Sequence, residues 1–266
     1  MFNFGIEIKQ NMAVIQFSHA NGFPALSYSY LFDLLKPHEI RCVDKFGHGK
    51  YRIIDKWDPM VDELIDDIDI HYTEPVVALG HSLGGILSLF ASDRRPELFR
   101  MVIVMDSPIF TNYYRLLIRF AQKAKIDSPV AKTAIRRRKQ FKSYEDAYDY
   151  LKERKLFKPF NEKCFSDYIK YGFEPFEGGV KLAYDTDVEY RIFQYMPTFF
   201  KTFKMKMPSY FIHALHGDVA KISNKKWIER NFKGIQLIPF DGSHMFPFEK
   251  PVETAELVKK LINLHA

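Results

Sequence analysis

Short apolar runs alternate with segments of helical spacing along two separate parts of this chain, and the alternation predicts a parallel sheet. Met12-Ala13-Val14-Ile15-Gln16-Phe17 reads as a strand, followed by a helix near Leu26–Lys36. Ile40-Arg41-Cys42-Val43-Asp44 is the next strand, with a helix near Asp58–His71 behind it. Pro75-Val76-Val77-Ala78-Leu79 leads into a helix over Gly85–Ser92, and Met101–Met105 forms a fourth strand. The pattern resumes with strands at Tyr210–Leu215 and Ile235–Phe240 and ends in a helix from about Val252 to Leu264. Strands that are apolar on both faces need cover on both, which alternating helices supply. The expected fold is α/β, a doubly wound, mostly parallel sheet whose reactive groups collect at the carboxyl ends of its strands.

Between Ser107 and Met207 the pattern breaks, and the segment reads as a helical lid inserted into the sheet domain. The predicted division is a core of residues 1–106 and 207–266 and a lid of residues 107–206. Ser107–Lys206 holds 22 of the chain's 42 aromatic residues, most of which must form the lid's own core. It also carries 21 Lys/Arg against 12 Asp/Glu, so the net charge of +6 belongs to this segment. Arg136-Arg137-Arg138-Lys139 is its densest run and reads as a solvated helix face. With those charges outward, substrate charge should matter little. Phe110-Thr111-Asn112-Tyr113-Tyr114 near one hinge and Phe199-Phe200 near the other are the rings expected to line an apolar pocket.

Composition narrows the classes. No nucleic-acid module accompanies the basic run, so no nucleic-acid partner is expected. No apolar stretch approaches the roughly 18–20 residues of a membrane span. The start, Met1 to Lys9, lacks the features of a secretory signal. Cys42 and Cys164 are the only cysteines, too few for a disulfide framework, which favours a reducing cytoplasm. H-E-x-x-H, C-x-x-C and G-x-G-x-x-G are all missing, so neither metal nor cofactor is expected.

Chemistry enters at Gly80-His81-Ser82-Leu83-Gly84, a G-x-S-x-G between an apolar strand and a segment of helical spacing. A sharp strand-to-helix turn strains the serine backbone and lifts its hydroxyl off the sheet edge, while Gly80 and Gly84 leave room for the turn. Serine is a weak nucleophile at neutral pH and needs a base that an acid orients. His244, in the loop Asp241-Gly242-Ser243-His244-Met245-Phe246-Pro247 after the last strand, is the expected base. His81 adjoins Ser82 and should point elsewhere; His19, His213 and His216 belong to other loops or strand ends. Two carboxylates compete as acid: Asp106, which ends the strand beside the elbow strand, and Asp218, in His216-Gly217-Asp218-Val219-Ala220. Asp44, Asp93 and Asp241 fit less well. The expected oxyanion donors are the backbone N–H of Leu83 and that of Phe23, in Ser18-His19-Ala20-Asn21-Gly22-Phe23-Pro24; Pro24 has no N–H.

These motifs together resemble the α/β-hydrolase superfamily of serine hydrolases. His19 to Pro24 is similar to the family's oxyanion loop, Asp44-Lys45-Phe46-Gly47-His48-Gly49 to its D-x-x-G-x-G turn, Gly80 to Gly85 to its elbow, and Gly242 to Pro251 to its histidine loop. The likeness covers about 1–106 and 207–266. At the position where the family usually carries its acid, this chain has Ala220. A branch of small esterases places the acid after the sixth strand instead, with spacing similar to that of Asp106, which favours Asp106 while Asp218 stays the alternative. The short N-terminus leaves little chain for the family's first two strands, so a trimmed sheet of about six or seven strands is expected.

What the resemblance implies is two-step acyl transfer to water on a small-molecule acyl substrate, by a Ser82–His244–Asp106 triad, with a carboxylic ester or thioester as substrate. Hydrolysis of a C–C bond in a diketone by the same triad is an alternative, and a catalytically silent binding module a further one. A serine at the elbow is contrary to dehalogenase or epoxide hydrolase chemistry, which needs an alkyl-ester intermediate.

Overall fold

The computed structural model describes residues 12–198, 202–217, 219 and 225–265. Asp218, Ala220, Phe199, Phe200 and the start of the chain, all weighed above, lie outside the described residues. Six strands form one sheet: β1 (Val14–Ser18), β2 (Glu39–Cys42), β3 (Val76–His81), β4 (Phe99–Met105), β8 (Phe203–Ala214) and β9 (Phe232–Phe240), in the order β2-β1-β3-β4-β8-β9. Every neighbouring pair is parallel. Alternate residues build two cores. Val77, Leu79, Ile103, Met105 and Ile212 face one side, where α1 (Ser29–Leu34) and α11 (Pro251–Asn263) pack. Val76, Ala78, Val102, Val104 and Phe211 face the other, under α2 (Asp58–His71) and α3 (Leu83–Arg94). Central strands buried on both faces explain their unbroken apolar sequences.

Several boundaries differ from expectation by two or three residues, and two differ in a way that bears on the fold. The helix near Leu26–Lys36 is a 3-10 turn over Ala25–Tyr28 followed by α1 alone. Strand β8 begins at Phe203, seven residues early, because Lys204 and Lys206 alternate with Phe203, Met205 and Met207 along one strand. Its register with β9 shifts between Lys204 and Ser209, around Pro208, which cannot donate to a ladder.

Between β4 and β8 the chain forms α4 (Asn112–Lys123), α5 (Pro129–Arg136), α6 (Tyr144–Lys152), α7 (Glu162–Gly172) and α8 (Thr186–Gln194). Contrary to the all-helical expectation, it also holds a small antiparallel sheet of β5 (Gln140–Phe141), β6 (Phe173–Phe176) and β7 (Gly179–Leu182). Glu177-Gly178 closes the β6–β7 hairpin, with Gly178 at φ 88°, a conformation glycine adopts without strain. The rings of this segment do not form a separate core. Phe157, Phe165, Tyr168 and Phe173 join one cluster with Phe17, Tyr28 and Phe248. After β8 come α9 (Lys225–Asn231) and, beyond β9, α10 (Phe246–Glu249).

Candidate active site

Strand β3 stops at His81 and helix α3 starts at Leu83, so Ser82 alone makes the turn, at φ 54° and ψ −113°. Such a backbone is costly for a residue with a side chain and persists only where its surroundings impose it. The glycines show the constraint. A Cβ on Gly80 would stand 2.4 Å from Gly84 O, and one on Gly84 would stand 2.0 Å from Ser18 O. The turn is pinned further: Ser82 N–H donates to Met105 O at 3.0 Å, and Ser107 Oγ–H donates to Ser82 O at 2.7 Å. That hydroxyl explains Gly85, whose Cβ would lie 2.0 Å from Ser107 Oγ.

Three side chains meet at the sheet edge. Ser82 Oγ lies 3.1 Å from His244 Nε2, and His244 Nδ1 lies 2.8 Å from Asp106 Oδ2. Asp106 is wholly buried, and its Oδ1 accepts the Ala214 N–H at 2.9 Å. It too has a left-handed backbone, φ 40°, which turns the carboxylate from the end of β4 across to the histidine loop. Because the carboxylate accepts at Nδ1, the imidazole proton sits there and Nε2 faces the serine hydroxyl as an acceptor. Of the other described carboxylates weighed above, none is hydrogen-bonded to His244. Asp241, for example, is exposed and pairs with Lys250 at 2.7 Å and with His216 at 2.8 Å.

Two further histidines hold the frame. His81 is fully buried, and burial pushes its pKa well below the ordinary value. Its Nε2–H donates to His244 O at 2.9 Å and its Nδ1 accepts from Tyr28 Oη at 2.6 Å, so it props the main chain of His244 as a neutral ring. Tyr28 Oη in turn accepts the Ala20 N–H at 3.3 Å. His19 is likewise buried, which lowers its pKa to about 4; its Nδ1–H donates to Ala20 O and its Nε2 accepts the Phe46 N–H. Sequence reasoning gave these rings no part. Both stand at the carboxyl end of a buried strand, His19 just after β1 and His81 as the last residue of β3, where a histidine is buried and must find partners.

The loop after β1 approaches α3 through Gly84 N–H, which donates to His19 O at 3.1 Å. Leu83 N–H, the first of α3, has no intramolecular acceptor among the described residues, as expected of a helix start. Phe23 N–H, the other expected donor, makes a turn hydrogen bond of 3.1 Å to Ala20 O. The Phe23 ring packs on Tyr168 and Phe248, with centroids 5.0 and 5.2 Å away. Tyr113 and Tyr114, expected to line the pocket, are instead exposed, at 67% and 53%. A cleft of about 780 Å³ at His244 is walled from the inserted segment by Lys155, Leu156 and Pro159, in the loop between α6 and α7.

The basic run also departs from expectation. Arg137 follows the last residue of α5 and turns inward, with Nη2 2.9 Å from Oε2 of the buried Glu189. Glu189 stands against the loop after β1: a Cβ on Gly22 would lie 2.8 Å from its Oε1, and Asn21 Nδ2–H donates to its main-chain O at 3.0 Å.

No helix among the described residues is long and apolar enough to cross a membrane. Residues 17–257 match the model of the alpha/beta hydrolase family. Among curated proteins, the chain is 32% identical over 83 residues to strigolactone esterase D14 of Arabidopsis thaliana, a stretch covering 31% of this chain and 30% of that protein. It is 31% identical over 93 residues to strigolactone esterase RMS3 of Pisum sativum, covering 34% and 33%. The matched stretches therefore span about a third of these relatives. Among solved structures, E-2-(acetamidomethylene)succinate hydrolase superposes with a TM-score of 0.72 at 16% identity, covering 95% of this chain and 91% of that one. The thioesterase domain from the curacin biosynthetic pathway superposes with a TM-score of 0.69 at 15% identity, covering 94% and 92%. At such identities these likenesses speak to fold alone. With the family match running over nearly its whole length, the chain belongs to the alpha/beta hydrolase family.

Proposed function

We propose that this chain is a serine hydrolase of carboxylic esters or thioesters, with Ser82 as nucleophile, His244 as base and Asp106 as the acid that orients it. The observation that carries the proposal is the contact of His244 with both partners, 3.1 Å to Ser82 Oγ and 2.8 Å to Asp106, at a strained elbow. In the first step Ser82 Oγ bonds to the acyl carbon while its proton passes to His244 Nε2. The bond to the leaving alcohol or thiol then breaks, and that group takes the proton from His244. Water repeats the sequence in reverse, freeing the acid and restoring Ser82. Asp106 stays ionised throughout and steadies the imidazolium. Leu83 N–H, at the positive end of α3, faces the developing oxyanion, and Phe23 N–H shares it with Ala20 O.

Residues 107–206 serve in this scheme as a lid over a core of 1–106 and 207–266. Its Lys155–Pro159 loop stands over His244 and selects the acyl group. The printed names of the curated relatives, both esterases, support ester bonds over C–C bonds. Two free thiols, Cys42 and Cys164, favour the cytoplasm. The test is a panel of p-nitrophenyl acyl esters, acyl thioesters and 1,5-diketones assayed with the wild type and with Ser82→Ala. Turnover of esters or thioesters that disappears in Ser82→Ala supports the proposal. Turnover of diketones alone, or esterase activity that survives the substitution, rejects it.

A further inference from the structure

Resting on the serine-hydrolase reading, we infer that the inserted segment contains a second pocket that binds a carboxylate on the substrate's acyl chain, with Arg137 and Arg154 as its recognition groups. Behind the loop that carries Phe23, α5, α6 and α8 enclose a cavity of about 490 Å³. That volume falls within the range of small-molecule sites. Its walls are mostly apolar, with Phe141, Tyr150, Phe157 and Tyr168 among the rings that line it. Its charge is one-sided: Arg136, Arg137, Arg138 and Arg154 line it against a single carboxylate, Glu189.

The four guanidiniums are not equivalent. Arg138 is already engaged by Asp146 at 2.8 Å and by the carbonyl of Gln140. Arg154 stacks 4.0 Å over the Tyr150 ring, and no carboxylate pairs with it among the described residues. Arg137 holds Glu189 by charge alone: its Nε and Nη2 are buried with no aligned hydrogen-bond acceptor, and neither has Glu189 Oε2 an aligned donor. A guanidinium whose side chain is only 24% exposed, beside the Tyr168 hydroxyl and with donors that Glu189 does not satisfy, suits a planar, bidentate acceptor. A carboxylate supplies that with one negative charge, which the surplus of arginines can take beside Glu189; a doubly charged phosphate would crowd it.

The cavity adjoins the reacting centre. Glu189 touches Gly22, Phe157 and Tyr168 pack against the Phe23 ring, and Leu156 lines both this cavity and the cleft at His244. A flexible acyl chain that passes Leu156 can thus set its carbonyl at Ser82 and its far carboxylate at Arg137.

The experiment has two arms. In the first, mono(4-nitrophenyl) adipate and the neutral 4-nitrophenyl hexanoate are compared as substrates. The expected kcat/KM is about tenfold or more in favour of the adipate, which at about 1.4 kcal/mol per tenfold is the low end of what a hydrogen bond to a charged group contributes. That ratio should fall towards one in Arg137→Gln and in Arg154→Gln. The second variant leaves the Arg137–Glu189 pair intact, so it reads the site even if the first does not fold. Arg95→Gln, whose guanidinium pairs with Asp69 on the surface of the core, should keep the wild-type ratio. In the second arm, calorimetry measures 4-phenylbutyrate and 4-phenylbutanamide binding to Ser82→Ala protein. Tighter binding of the carboxylate, weakened by salt and by Arg154→Gln, is expected. Equal binding of the two ligands, or an adipate preference unchanged in both arginine variants, overturns the inference. If the protein turns over no ester, the serine-hydrolase reading fails, and the calorimetry still decides the pocket.

Discussion

Replacing Asp106 by Asn separates orientation from chemistry, because the two side chains differ only at the groups that matter. In the native site Oδ1 accepts the Ala214 N–H at 2.9 Å and Oδ2 accepts the His244 Nδ1–H at 2.8 Å. The amide of Asn has one acceptor. If its oxygen keeps Ala214, its NH₂ faces His244 Nδ1, which must then give up its proton to Nε2. That tautomer aims N–H at Ser82 Oγ and cannot take the serine proton. If the amide flips, two buried donors meet at Ala214, a conflict of about 1–3 kcal/mol. The wrong tautomer is therefore the favoured state, and the expected loss is about 10⁴ in kcat, as for the equivalent change in a known triad. At about 1.36 kcal/mol per tenfold that corresponds to roughly 5.5 kcal/mol of transition-state stabilisation. The fold should survive, since size is conserved and a wholly buried charge is removed. The assay is p-nitrophenyl acetate hydrolysis alongside urea unfolding. Adding His244→Ala to Asp106→Asn should bring little further loss, because such groups act as a unit. A folded Asp106→Asn protein within about tenfold of wild type would refute the reasoning, and Asp218→Asn would then be the informative variant.

Three other outcomes follow from the packing around the site. Gly84→Ala places a Cβ 2.0 Å from Ser18 O, so α3 must shift; a loss of about 1–3 kcal/mol in urea unfolding, with reduced activity, is expected. Tyr28→Phe leaves His81 Nδ1 without its donor and Ala20 N–H without its acceptor, and should lower stability by about 1–3 kcal/mol while slowing turnover through the main chain of His244. Glu63, on α2, has its pKa raised to about 7 by burial, although the Gly47 N–H opposes this. Between its ordinary value and 7 the folded protein holds a proton that the unfolded chain has lost, so the carboxyl costs stability as pH rises through that window. Glu63→Gln should thus stabilise by about 1–2 kcal/mol at pH above 7, after allowance for solvent on this half-buried side chain, and by nothing near pH 4.5. Equal urea midpoints for wild type and variant at high pH would contradict it.

Much of this architecture was legible in the sequence because strong local signals and tertiary demands coincide there. The paired valines of β3, the glycines around Ser82 and the Asp106-Ser107-Pro108 turn each admit few local conformations, and the structure uses those. What was not legible depends on contacts between distant segments. Strands β5, β6 and β7 span two to four residues each, too short for a period to register. The early start of β8 was hidden by its lysines, which are tolerated where that strand runs out beyond β4 and pairs with β9 alone. The inward turn of Arg137 could not be read from a run of four cations, since it is set by Glu189, 52 residues later, packing against Gly22. The role of His81 was obscured for a similar reason, its partners being Tyr28 and the main chain of His244.

The most direct test of the proposed chemistry is intact-protein and peptide mass spectrometry after treatment with a fluorophosphonate. One adduct per chain, on Ser82, is expected in the wild type, absent in Ser82→Ala and strongly slowed in His244→Ala. A folded wild-type protein that gains no adduct, or one that carries it on another residue, would contradict the account.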